Sequence, residues 1–88
     1  MSKPEVRIVA LYKFSVLEDA QSHQFPLKDL CVDAGVAGTL ILAQEGINGT
    51  VGGPPEGVER VLAYIRALPG MADIEVKESW ASEMPFFR

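Results

Sequence analysis

The run from Val6 to Phe14 is almost wholly apolar, with charge only at Arg7 and Lys13. Ile8, Ala10 and Tyr12 fall on one side of an extended chain, and Arg7, Val9, Leu11 and Lys13 on the other. Both sides are mainly apolar, which predicts a central strand bounded by Pro4 and Ser15. The period then changes. Leu27, Leu30, Cys31 and Ala34 fall at i, i+3, i+4 and i+7, so Glu18 to Ala34 reads as a helix. Pro26 either kinks it or starts it, and Gly35 is placed to end it. Glu18 and Asp19 read as an acid pair at its N-terminus, interacting with the helix dipole.

Gly38 to Gln44 and Ile47 to Gly52 are predicted strands. Two turns compete to join or divide them: Gln44-Glu45-Gly46, and Asn48-Gly49 as a type I′ turn. The first is preferred, because it leaves a long strand before it. Gly53-Pro54-Pro55-Glu56 opens a second helix, with proline near its first position and an acid in its first turn. Val58, Val61, Leu62, Ile65 and Leu68 keep helical spacing until Pro69-Gly70 stops it. Ile74 to Trp80 is the last strand, with Ile74, Val76 and Trp80 to one side and Glu75, Lys77 and Ser79 to the other. The order β-α-β-β-α-β predicts an α+β, ferredoxin-like fold. Two helices cover one face of a four-stranded antiparallel sheet and leave the other open.

Composition supports this picture. A chain of 88 residues with 48% hydrophobic content makes one small domain with a core of its own. We assign residues 1–80 to that domain and 81–88 to the start of a linker. The net charge of −4 argues against a free-standing nucleic-acid binder, though a basic surface on a neighbouring domain remains compatible with it. Cys31 is the single cysteine, so no internal disulfide forms. With no signal-like or membrane-spanning stretch, a cytoplasmic location and no membrane partner are expected. Met84-Pro85-Phe86-Phe87-Arg88 ends on aromatics without a polar tail and reads as a cut from a longer protein.

Candidate chemistry is sparse. Cys31 shares an apolar helix face with Leu27 and Leu30, where a thiol acts as a small hydrophobe. His23 is the single histidine and is read as a helix-surface residue. No ligand set for a metal accompanies it. Gly46 and Gly49 interrupt a strand and match neither the phosphate loop nor the dinucleotide fingerprint, so turn chemistry is the expected role. If Ile47 and Val51 face the helices, Asn48 and Thr50 point to the open face. Val9, Leu11, Lys13, Lys77 and Ser79 are expected beside them, as a surface for a substrate or another domain. Trp80, Phe86 and Phe87 suggest packing on a following domain or, more specifically, base stacking.

Three stretches together resemble a known family: Val9-Ala10-Leu11-Tyr12-Lys13-Phe14, the run from Gly38 through Glu45-Gly46-Ile47-Asn48-Gly49-Thr50 to Val51, and Val76-Lys77-Glu78-Ser79 with Pro85-Phe86-Phe87-Arg88. The family is that of the rhodanese-domain-containing tRNA uridine hydroxylases. The resemblance covers nearly the whole chain. It implies an N-terminal, acylphosphatase-like domain followed by a rhodanese domain, tRNA as partner, and oxygen-dependent conversion of the wobble uridine to 5-hydroxyuridine. Molecular oxygen would be a co-substrate of the full-length enzyme, with no cofactor in this domain. The family's key cysteine belongs to the rhodanese loop, which Cys31 does not match, so no catalytic residue is assigned here. Lys13, Glu45, Asn48, Thr50, Lys77 and Arg88 carry over as substrate or interdomain contacts. Acylphosphatases hold phosphate in a loop after the first strand with glycine and arginine. Ser15-Val16-Leu17-Glu18-Asp19 has neither and adds two acids, which argues against acyl phosphate hydrolysis. Two other classes are weighed: a regulatory or protein-interaction domain of a rhodanese-type sulfurtransferase, and an RRM-like RNA-binding module. The third strand lacks the aromatics of an RRM.

Overall fold

The structure is a computed structural model and describes residues 6–82. Its elements follow the predicted order: β1 (Val6–Phe14), α1 (Ala20–Ala34), β2 (Ala37–Ala43), β3 (Gly46–Gly53), α2 (Pro55–Arg66) and β4 (Glu75–Ala81). The strands form one antiparallel sheet in the order β2-β3-β1-β4, which is the expected ferredoxin-like arrangement. Strand boundaries fall within one residue of the periodicity reading. The turn between β2 and β3 is Gln44-Glu45, the preferred alternative.

The core lies between the helices and one face of the sheet. β1 supplies Val9 and Leu11, β3 supplies Ile47 and Val51, and α2 supplies Val58, Val61, Leu62 and Ile65. Each of these is at most 2% exposed. α1 contributes Ala20, Leu27 and Ala34, with Leu30 and Cys31 partly buried beside them. Leu17 and Met71, from the loops after β1 and α2, are buried at the end of the sheet where β1 finishes and β4 begins.

This corrects one expectation. Val9, Leu11 and Lys13 do not lie on the open face. Val9 stands directly opposite Val51, and Lys13 opposite Ile47, so all three share the helix-covered face. Charged residues stand at both ends of that row. Arg7 and Lys13 flank the core and extend past it to acids elsewhere in the fold, as long basic side chains do.

α1 also departs in detail. It begins at Ala20 and runs through Pro26, so the proline neither starts nor ends it. Asp19 precedes it in the left-handed region, at φ 62°. Its carbonyl accepts the Ser22 amide at 2.9 Å and the Ser22 hydroxyl at 2.8 Å, while its side chain makes no capping bond. Glu18 and Asp19 thus lie ahead of the first turn, which holds no acid. Gly35 ends the helix at φ 74°, as its place in the sequence predicts.

Candidate functional site: the open face of the sheet

Register determines what the uncovered face displays. Facing residues of paired antiparallel strands point the same way, so rows can be read across β4, β1, β3 and β2 in turn. One row is Glu75, Tyr12, Asn48 and Ile41; the next is Lys77, Ala10, Thr50 and Thr39. Ser79, Ile8, Gly52 and Ala37 form a third, and Phe14, Gly46 and Ala43 complete the face. β3 presents only small or short polar groups at its centre, between the aromatics of β1 and Ile41 of β2.

Tyr12 is 47% exposed, Phe14 69% and Ile41 54%. The two aromatic rings meet edge to face, with centroids 5.1 Å apart. Such rings normally fill a core, and here they are left on a surface. Among the described residues the face carries one acid, Glu75, and one base, Lys77, so that part of it is close to neutral on a chain whose net charge is −4.

The glycines of the Glu45–Thr50 run serve the sheet itself. At Gly49, φ is 154°, and a Cβ would sit 2.1 Å from the Thr39 carbonyl oxygen of β2. At Gly46, φ is 147°, and a Cβ would sit 2.1 Å from the Lys13 carbonyl oxygen of β1. One glycine lets β3 press against one neighbour and the second against the other. Any side chain would collide with backbone.

The candidate contact residues are scattered by this geometry. Asn48, Thr50 and Lys77 share the open face, in adjacent rows. Lys13 lies on the opposite face, where its Nζ donates to Asp73 Oδ1 at 2.6 Å. Lys13 and Lys77 therefore do not form one basic patch. Glu45 occupies the β2–β3 turn, and Arg88 falls outside the described residues. Tyr12, Phe14 and Ile41, the most conspicuous groups on the face, were not among the candidates. The adjacent exposed residues of one β1 face were readable in the sequence, but not which face would be covered.

Two further groups are settled by their neighbours. The amides of Ser15 and Leu17 donate to the carbonyls of Glu45 at 3.0 Å and Gln44 at 2.8 Å. A phosphate-holding loop after β1 needs such amides free, and Leu17 is itself buried. The loop geometry thus agrees with its composition in opposing acyl phosphate chemistry. Cys31 borders a cleft of about 420 Å³ between α1 and β2, with Leu27, Val36 and Leu40. Burial pushes its thiol pKa up, which works against thiolate formation. His23 is not a simple surface residue. Its Nδ1 shares a hydrogen bond of 3.0 Å with the Tyr64 hydroxyl of α2, and the pair is partly buried.

Among the described residues, no group of three or more His, Cys, Asp or Glu is placed to hold a metal. No helix among them is long and apolar enough to cross a membrane. Trp80 belongs to the helix-side set of β4 and is 48% exposed, so it does not extend the open aromatic face. Phe86 and Phe87 lie outside the described residues.

Comparison with known proteins adds an identity to this geometry. Residues 6–88 match the UPF0176 acylphosphatase-like domain family. A tRNA uridine(34) hydroxylase of Gluconobacter oxydans (strain 621H) is 57% identical over 83 residues, covering 94% of this chain and 26% of that protein. One of Caulobacter vibrioides (strain NA1000 / CB15N) is 55% identical over 82 residues, covering 93% and 26%. One of Brucella anthropi (strain ATCC 49188) is 49% identical over 88 residues, covering 100% and 29%. The chain thus spans a little over a quarter of the length of these relatives.

Proposed function

Because this chain belongs to the UPF0176 acylphosphatase-like domain family, we propose that it is the non-catalytic N-terminal domain of a tRNA wobble-uridine hydroxylase. The observation that carries the reading is its 49–57% identity to proteins named tRNA uridine(34) hydroxylase, of which it matches only a little over a quarter. The chemistry of the described residues supports it. Cys31 is partly buried, His23 is engaged by Tyr64, and among the described residues neither has a partner that would make a nucleophile–base pair.

The full-length protein would act in the cytoplasm and convert uridine to 5-hydroxyuridine in tRNA, with molecular oxygen as co-substrate. The chain beyond β4 would lead through a linker to a rhodanese domain that holds the reactive cysteine. The domain's own contribution is to bind or orient tRNA or to pack against that second domain. Asn48, Thr50 and Lys77 are the candidates that share a face for this, while Lys13 acts from the other face.

Nucleoside mass spectrometry of total tRNA tests the reading. Cells lacking the parent gene should lose 5-hydroxyuridine and its derivatives, and the full-length gene should restore them. Persistence of the nucleosides at wild-type levels would remove the support for it.

A further inference from the structure

We propose that the open face centred on Tyr12, Phe14 and Ile41 is the seat of the part of the full-length chain that follows residue 88, and is not an RNA platform. The proposal rests on the reading of this chain as the N-terminal part of a longer protein. The relatives in which the match covers 26–29% of the length leave nearly three quarters of a chain to be accommodated. Ala81, the last residue of β4, pairs with Val6 at the start of β1, so the following segment starts at the end of the sheet opposite Tyr12 and Phe14. A chain of that remaining length has ample reach to return along the strand to them.

The chemistry of the face selects among occupants. An RNA backbone needs several bases to neutralise phosphates. Among the described residues this face offers Lys77 alone, in the row next to Glu75. It instead exposes two aromatic rings and an isoleucine at 47–69%. Tyr12 and Phe14 are in contact and Ile41 lies across Asn48 from them, and exposed apolar groups interspersed with polar ones in this way mark an interaction site. Interfaces between domains of one chain commonly bury about 600–1,500 Å² and mix apolar with polar contacts. Asn48, Thr50 and Thr39 supply amide and hydroxyl groups at the centre of the face, where a protein surface can meet them with backbone hydrogen bonds. The occupant is accordingly a mainly apolar, weakly charged surface of the later chain. On the other side of the sheet α1 and α2 cover the core, and Trp80 at the β4 edge is the large apolar group left 48% exposed there.

The test uses the full-length protein with a photo-crosslinking phenylalanine analogue at position 14, and separately at position 25. Phe14 and Phe25 are similarly exposed, at 69% and 75%, but Phe25 lies on α1. Crosslinked peptides are mapped by mass spectrometry with tRNA present. Position 14 should give several-fold more adduct than position 25 to peptides beyond residue 88 of the same molecule. The same placement at position 41, on β2, should reach neighbouring peptides. Adducts from positions 14 and 41 to tRNA, to a second copy of residues 1–88, or no excess over position 25 would each overturn the proposal. The tRNA nucleoside assay reads the hydroxylase assignment separately. Its failure leaves the crosslink map interpretable, and a negative map leaves the nucleoside result standing.

Discussion

The two faces of this sheet are made from the same four strands, yet they impose opposite demands on side chains. On the helix side, Val9, Leu11, Ile47 and Val51 are almost completely enclosed, and each contributes by leaving water. On the open side, Tyr12, Phe14 and Ile41 are about half exposed or more, and enclosure there awaits another surface. The difference teaches that the fold draws its stability from one face of the sheet and draws little from the apolar groups of the other. The covered face is terminated at both ends by ion pairs. Arg7 Nη1 donates to Glu59 of α2 at 2.8 Å, and its Nε to Glu78 of β4. Lys13 holds Asp73 at the other end. The open face has no comparable boundary and mixes aromatic, amide and hydroxyl groups.

The comparison can be broken most severely by exchanging what the faces require. Leu11→Ala should cost about 2–5 kcal/mol, the range for truncating a buried leucine. Denaturant unfolding of this chain would show it as a lower midpoint. Gly49→Ala should come next, at about 1–3 kcal/mol, because the new methyl meets the Thr39 carbonyl and the residue needs positive φ. A midpoint equal to that of the unsubstituted chain would mean that β3 does not approach β2 as closely as described.

Tyr12→Ser sharpens the contrast. In this chain alone it should change stability by less than about 1 kcal/mol, because the ring is not enclosed. In the full-length protein the same substitution should lower stability more, as read by thermal unfolding of the two proteins side by side. An equal effect in both would count against an occupied face.

The smallest expected effect lies in acid. The hydrogen bond from Arg7 holds the Glu59 carboxyl below its ordinary value, and that from Lys13 does the same for Asp73. A carboxylate whose folded pKa is depressed stabilises the fold above its unfolded value and loses that contribution as pH falls through the folded one. Stability should therefore decline as pH drops below the ordinary carboxylate values of 4.5 for Glu59 and 3.8 for Asp73. Lys13→Met should flatten only the Asp73 part. Both acids are exposed, so the slope should weaken further in high salt.

Much of the fold was legible because it is written in local periods. The spacing of Val58, Val61, Leu62 and Ile65 marks a helix whatever surrounds it, and Gly35 and Pro69-Gly70 punctuate helices through backbone geometry alone. The candidate site was less legible. β1 is apolar on both sides, so alternation could not say which side the helices cover. Arg7 and Lys13, the charged ends of one side, belong to the covered face. Their partners, Glu59 and Asp73, lie 52 and 60 residues away, and no local pattern announces them.

Element order, the β2–β3 turn, the helix stops and the family were carried by residues within a few positions of one another, because propensity, period and turn chemistry act at that range. Which face of β1 became core, the separation of Lys13 from Lys77, and the placing of Tyr12, Phe14 and Ile41 on one face were decided only when β3 paired between β1 and β2, β4 paired with β1 and the helices covered one side. Register converts four separate alternations into two faces, and it is a property of strands in contact rather than of any strand alone.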